Sequence, residues 1–296
     1  MAHGLSAPPP WAQAPATARI HAVLDGRGHT ALPVLRGAGP LALRRLRGGA
    51  LAEVATVATM AGPLGGDRLA VRVAVDAGAR LRVTGVAATL SLPGEGPAHY
   101  GLDLAVAAGG LLEWLPEPVI AAAGIHLVLH TRVELAAGAA LLLREEQVLG
   151  RQHDWAVHGV PGRLTTRLTV RQGGRLLLDQ QSDLGPGAPG WDGAAVLGPH
   201  RALGQLLTVG LPAPPAGPGA GDRAVLALPG DDAHLLLALA PDALALRRLL
   251  DGGQAVGNGP GNAAGNGLGN GPGNAAGRAP QGAPAPRDRQ GTGQGV

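Results

Sequence analysis

The sequence predicts an all-β dominated protein, built from short strands stacked or layered in a β-solenoid-like way, with one or two helices near its C-terminal end. Three observations support this fold class. Apolar and polar residues alternate along several segments, glycine and proline interrupt the chain too often for long helices, and one turn motif recurs at regular spacing. The 296 residues are enough to bury a sizeable core.

The alternation is clearest in residues 69–76 and 127–135. In both segments every second residue is leucine, valine or threonine, and the residues between them include arginine, histidine, aspartate and glutamate. A period of two with one apolar face is typical of a half-buried β-strand.

The repeated motif spans seven residues. It begins with an apolar residue and two variable residues, continues with a glycine that is followed by either alanine or glycine, and ends with one variable residue and a leucine. Its four copies have their turn glycines at Gly78, Gly109, Gly138 and Gly173. A strand–turn–strand unit of about thirty residues cannot bury both faces alone, but stacked copies form a continuous core. We therefore expect a β-solenoid-like stack or two layered sheets. An ordinary β-sandwich is the alternative, because hairpins also favour such turns.

The chain divides into a flexible N-terminus, residues 1–15, a β-rich domain, residues 16–251, and a low-complexity tail, residues 252–296. The tail repeats glycine, asparagine and proline with almost no large apolar residue, so we expect it to be disordered. Residues 211–221 form a second proline- and glycine-rich break. A helix is predicted over residues 241–250, with proline at its start and two arginines near its end.

Composition excludes several chemistries. All basic residues are arginine, so a P-loop lysine or a lysine Schiff base is impossible. Without cysteine there is no disulfide and no cysteine-ligated metal, and none of the serines lies in a G-x-S-x-G motif. The near absence of aromatic residues argues against stacking of nucleic-acid bases. We expect neither a nucleic-acid nor a membrane partner, and the lack of a secretory signal predicts a cytoplasmic protein.

Carboxylates next to apolar strand segments occur at Asp67, Glu113, Glu117, Glu145, Glu146, Asp179 and Asp192. Four of them are the candidate path residues: Glu113, Glu117, Glu145 and Asp179. If they point inward, they form a polar lining with perturbed pKa values. Such scattered ligands suit weak passage of a cation better than a fixed site. A pair such as Glu145 and Asp179 also permits glycoside hydrolysis.

Histidines and arginines offer weaker signals. His126 and His130 lie in an alternating segment, where a strand would hold them on one side about 13 Å apart. His153 and His158 are predicted in a loop, and no HExxH motif occurs. The arginines of residues 44–47 are interpreted as a solvated strand face.

Several motifs together resemble the UreD (UreH) family of urease accessory proteins over residues 18–250. These are GPLGGDRL, GARLRVTGVAATL, LEWLPEPVI, LLLREEQVLGR, LLLDQ and GWD. The residues that match the family pattern are Gly62, Gly65, Gly66, Asp67, Thr84, Ala87, Ala88, Thr89, Glu113, Trp114, Pro116, Pro118, Glu145, Gly150, Arg151 and Asp179.

The resemblance implies a non-enzymatic factor for assembly of a nickel centre. It implies a β-rich fold, a complex with UreF and the GTPase UreG, docking on the urease apoprotein, and an internal tunnel for nickel. It implies no tightly bound cofactor, only nickel in transit. The sequence departs from the family where Gly85 and Val86 replace polar residues, and where Glu117 replaces a glutamine. A β-solenoid interaction protein of another pathway and a carbohydrate-active enzyme are the alternative functions.

Overall fold

A computed structural model describes residues 14, 16–47, 49, 51–214, 222–230 and 232–251 of the chain. The predicted tail, residues 252–296, lies outside the described residues. The predicted flexible N-terminus, apart from residue 14, also lies outside the described residues, and so do residues 215–221 of the predicted break.

The described residues form seventeen strands and two short helices. The strands are β1 (Ala16–Leu24), β2 (Thr30–Arg36), β3 (Leu41–Arg45), β4 (Ala52–Ala58), β5 (Arg68–Val75), β6 (Arg80–Gly85), β7 (Thr89–Ser91), β8 (Ala98–Val106), β9 (Leu111–Leu115), β10 (Val119–Ala121), β11 (His126–Leu135), β12 (Ala140–Leu149), β13 (Arg163–Gln172), β14 (Arg175–Leu184), β15 (Ala202–Val209), β16 (Arg223–Ala227) and β17 (Ala233–Ala240). The helices are α1 (Gln152–Val157) and α2 (Ala243–Leu250). The predicted strand-dominated class and the presence of helices are confirmed.

The strands are arranged in two open sheets. The seven-stranded sheet has the order β14-β13-β11-β8-β5-β1-β2. The ten-stranded sheet has the order β16-β17-β15-β12-β9-β6-β4-β3, and β7 and β10 extend it beside β12. Strands β1, β5, β8, β11 and β13 pair in parallel, as do β4, β6, β9 and β12. Antiparallel strands complete the edges of both sheets.

The repeated motif builds these layers. Its first three copies lead from a strand of the seven-stranded sheet to the next strand of the ten-stranded sheet, and the fourth is a hairpin within the seven-stranded sheet. The turns stack on one another, since the Gly109 amide donates to the Gly138 carbonyl at 3.1 Å. The structure is thus two layered sheets, and it does not close into a solenoid because the fourth copy and the edge strands turn back antiparallel.

The main core lies between the sheets. It contains alternate residues of the facing strands, among them the fully buried Ile20, Leu81, Leu104, Leu112 and Leu141. Full burial of such a side chain contributes about 1.5–3 kcal/mol. The alternation seen in the sequence is therefore the pattern that assigns one face of each strand to this core.

The two helices differ from their prediction in detail. Helix α2 begins at Ala243 and not at residue 241, because the Asp242 side chain caps it by accepting from the Ala245 amide at 2.8 Å. Helix α1 replaces the loop predicted around His153, which is a correction. Asp154 stabilises its first turn by accepting from the Arg151 amide at 2.7 Å. Neither helix of the described part is long and apolar enough to cross a membrane.

Candidate functional site

A narrow cavity of ≈ 80 Å³ lies between the two sheets. Both sheets contribute to its wall, as do the connections before β5 and after β6 and β9. Its apolar and aromatic lining includes Leu69, Tyr100, Leu102, Trp114 and Leu129, and its polar lining includes Thr56, Thr89, Glu117, Thr131, Glu145, Glu146 and Gln147.

Glu145 is the central polar group of this cavity. It lies on β12, where Leu141, Leu143 and Glu145 are alternate residues, and both leucines are fully buried. Because alternate side chains of a strand share one face, the Glu145 side chain points between the sheets as theirs do. The alternation already present in the sequence thus places one of the four predicted carboxylates in the interior.

Two neighbours hold the Glu145 carboxylate. The Thr131 hydroxyl donates to Oε1 at 2.5 Å from the facing sheet, and the Gln205 amide donates to Oε2 at 2.7 Å from the adjacent strand β15. Burial raises the pKa of Glu145, and these two hydrogen bonds oppose the rise only in part. The cavity therefore contains a fixed acceptor whose charged form is costly until a cation or proton joins it.

Glu117 lines the cavity from the segment after β9. Its backbone packs against Gly85 so closely that a Cβ there would lie 2.7 Å from the Glu117 nitrogen. In this packing a side chain at position 85 would clash with the Glu117 backbone. The Glu117 carboxylate faces Arg247 of α2, with 3.2 Å between Oε2 and Nη2.

Glu146 follows Glu145 in LLLREEQVLGR and is a third lining carboxylate, although it was not among the four predicted path residues. Its side chain is 1% exposed, and its Oε1 lies 2.7 Å from Arg144 Nε and 2.6 Å from Arg247 Nε. Burial raises its pKa, while Arg144 and Arg247 oppose the rise. Its parity on β12 is opposite to that of Glu145, so alternation alone assigns it to solvent. The packing of α2, through Arg247, helps to bury it on this face.

Glu113 and Asp179 lie outside the cavity lining. Glu113 accepts from Arg82 Nε on the outer face of the ten-stranded sheet. Asp179 lies on edge strand β14 and accepts two hydrogen bonds from Arg167, at 2.9 and 2.8 Å. Arg167 lowers the pKa of Asp179. The structure therefore brings Glu117 and Glu145 to one cavity, and it leaves Asp179 apart from Glu145, the pair that glycoside hydrolysis would need.

The first glycine-rich motif forms a loop at one wall of the cavity, where Gly62 and Pro63 line it. A Cβ on Gly65 would lie 2.6 Å from the Gly94 nitrogen, so the two backbones meet where only glycine fits. Asp67 closes the loop by accepting from the Leu64 amide at 2.8 Å. Gly66 has φ +93°, which suits glycine.

The next two motifs meet at the same wall. Ala87, Thr89, Trp114 and Pro116 line the cavity, and the Thr89 amide donates to the Pro118 carbonyl at 2.8 Å. The other matching residues of these motifs, Thr84, Ala88, Glu113 and Pro118, are not part of the lining. Ala88 is exposed, and the Thr84 carbonyl accepts from the Thr56 hydroxyl at 3.1 Å.

Gly150 and Arg151 have a structural place at the start of α1. Gly150 has φ +73° and packs against Trp155, whose indole donates to the Leu149 carbonyl at 2.7 Å. Arg151 pairs with the buried Asp154 at 2.7 Å and lowers the pKa of that carboxyl to about 2.

The histidines and the arginine run form no site with the cavity. His126 and His130 lie on one face of strand β11, as expected, and His126 Nε2 lies 3.0 Å from the Thr165 hydroxyl. The rings of His153 and His158 meet edge to face at the surface, with centroids 6.4 Å apart. Arg44, Arg45 and Arg47 are exposed at the end of edge strand β3. Within the described ranges, no three histidine, aspartate or glutamate side chains converge as a metal cage.

Comparison with known proteins assigns the family. The family model described as UreD urease accessory protein matches residues 15–256. A urease accessory protein UreD of Streptomyces avermitilis is 56% identical over 243 residues, covering 80% of this chain and 94% of the relative. The UreD of Streptomyces coelicolor is 53% identical, covering 81% and 95%, and that of Parafrankia sp. is 38% identical, covering 80% and 86%. The chain belongs to the UreD urease accessory protein family.

Proposed function

We propose that this chain is a non-enzymatic scaffold and chaperone for incorporation of nickel into urease, acting in the cytoplasm. In this proposal it works in a complex with UreF and the GTPase UreG and docks on the urease apoprotein. Membership of the UreD family supports the role in urease maturation. The absence of lysine supports the need for a GTPase partner, because this chain has no P-loop of its own.

The observation that supports a nickel path most strongly is the carboxylate of Glu145 inside the cavity between the sheets. Nickel passing through the protein needs oxygen or nitrogen ligands at intervals, and it must also leave them. A single carboxylate held by Thr131 and Gln205 offers a fixed position without a full coordination shell. We propose that the path runs past Glu145 and Glu117, and that Glu113 and Asp179 lie outside it.

Co-expression tests this function. The urease subunits and the other accessory proteins are produced with and without this chain, and the purified urease is assayed for nickel per active site and for activity. We expect folded urease lacking nickel when the chain is omitted, and co-purification of the chain with UreF when it is present. Urease with full nickel content in the absence of the chain would refute the proposal.

A further inference from the structure

Helix α2 is seated on the outer face of the ten-stranded sheet by its apolar side. Leu246 and Leu250 are buried there against β15 and β17. They lie over Gly204, where a Cβ would come within 2.9 Å of Leu250 and 3.1 Å of Leu246. The glycine thus allows the helix to approach the sheet closely, which brings the polar side of the helix against the neighbouring strand β12.

The polar contact is made by Arg247. Its guanidinium lies between two carboxylates, with Nε 2.6 Å from Glu146 Oε1 and Nη2 3.2 Å from Glu117 Oε2. Only 22% of the Arg247 side chain is exposed. A short, charge-assisted contact to a carboxylate that is 1% exposed is strong because water competes little for it.

Both carboxylates also line the cavity. The second oxygen of Glu146, Oε2, is buried and has no hydrogen-bond partner within the described part of the chain. An unpaired, buried carboxylate oxygen is costly, and a cation at the cavity wall would relieve that cost. Arg144 Nε also lies 2.7 Å from Glu146 Oε1, so the oxygens open to a divalent cation once Arg247 leaves are those of Glu117 and Oε2 of Glu146.

We propose that Arg247 is a built-in competitor of the metal cargo: its guanidinium occupies Glu117 and shares Glu146 Oε1 with Arg144, and a divalent cation binds Glu117 and the unpaired Glu146 Oε2 when α2 moves away from them. This inference rests on the proposed function and adds a regulatory element to the same cavity. The competition is reciprocal. The free energy by which docked α2 weakens cation binding equals the free energy by which a bound cation weakens the docking of α2. Any partner that draws α2 away would then increase the affinity of the cavity for the cation.

The first test is nickel binding to the purified full-length chain by equilibrium dialysis. We expect Arg247→Gln to increase the affinity by about fivefold or more, since it removes the competing charge. Arg248→Gln is the matched control, because Arg248 is the exposed neighbour on the same helix. Adding Glu117→Gln to Arg247→Gln should cancel the gain in nickel affinity, which would show that the added nickel binds at the Glu117 carboxylate. An unchanged affinity in folded Arg247→Gln would overturn the inference.

The wild-type chain provides a second test that does not depend on the folding of a variant. Hydrogen exchange of the α2 amides, residues 243–250, is measured with and without nickel chloride. We expect faster exchange with nickel, and unchanged or slower exchange would contradict the competition. Either negative result leaves the proposed function intact as long as omission of the chain still yields urease without nickel, so the two failures are distinguishable.

Discussion

The carboxylates of the interior and those of the outer face of the seven-stranded sheet differ in what surrounds them. Glu146 is buried between two arginines beneath α2, and Glu145 is held by neutral donors in the cavity. Asp103 and Asp179 instead lie in ion pairs with arginines whose side chains are well exposed. Water and salt screen the second group. A carboxylate is therefore expected to control stability and cation binding in the interior, and to have little effect on the outer face of the seven-stranded sheet.

The largest stability effect is expected at Glu146. Its replacement by alanine leaves Arg144 and Arg247 close together without their shared counter-charge, which should cost about 3–5 kcal/mol. Urea denaturation of the purified variant measures this. If the free energy of unfolding fell by less than about 1 kcal/mol, Glu146 would behave like the exposed ion pairs, and the difference between interior and surface carboxylates would be contradicted.

Asp154 is an intermediate case, since it is buried but pairs with the half-exposed Arg151. Asp154→Ala should cost about 2 kcal/mol near pH 7, because it removes charge-assisted hydrogen bonds at the start of α1. The pKa of Asp154 is lowered to about 2, so its contribution is present above the ordinary aspartate range and is lost as the pH falls towards that value. Denaturation curves of both proteins should therefore converge at low pH, and a constant difference would be inconsistent with this origin.

Glu145 should show the opposite sign. Its pKa is raised above 4.5, so the folded chain binds its proton more tightly than the unfolded chain, and stability decreases as the pH rises through the folded value. Glu145→Gln removes this cost and is expected to be more stable than wild type at pH 7. The difference should vanish near pH 4. A variant less stable than wild type at pH 7 would show that the carboxylate is stabilised, not strained, in its charged form.

The smallest effect is expected at Asp179. Asp179→Asn weakens a pair in which 33% of the aspartate and 44% of the arginine side chain are exposed, so the loss should stay below about 1 kcal/mol. Thermal unfolding at low and high salt checks this, since an exposed pair should lose its remaining effect in salt. A large loss of stability that does not depend on salt would contradict the distinction between the interior and the outer face of the seven-stranded sheet.

Alternation along the strands carries the signal for much of this arrangement, although the four candidate carboxylates were not separated on that basis. The parity of Leu141 and Leu143 on β12 places Glu145 inside, and the parity of Leu112 and Trp114 on β9 places Glu113 outside. The repeated glycine turns predicted the layered strands, and GPLGGDRL marks the loop at the cavity wall.

Other features could not be predicted because they depend on distant packing. Glu146 has the outward parity of β12, and α2, about a hundred residues later in the chain, packs over it through Arg247. The side of β14 on which Asp179 lies does not follow from alternation, because the pairing register shifts between Val170 and Arg171. Helix α1 was missed because its six residues contain one histidine and one tryptophan and show no apolar stripe.

The most direct test of the interior carboxylate is the nickel content of urease matured by variant chains. Urease is co-expressed with the other accessory proteins and with wild type, Glu145→Gln or Asp179→Asn, and nickel per active site is measured by atomic absorption. We expect Glu145→Gln to lower the nickel content by about tenfold or more and Asp179→Asn to match wild type. Because Glu145→Gln is not expected to destabilise the fold, such a loss would reflect the ligand itself. Full nickel content with Glu145→Gln would contradict a path through this cavity.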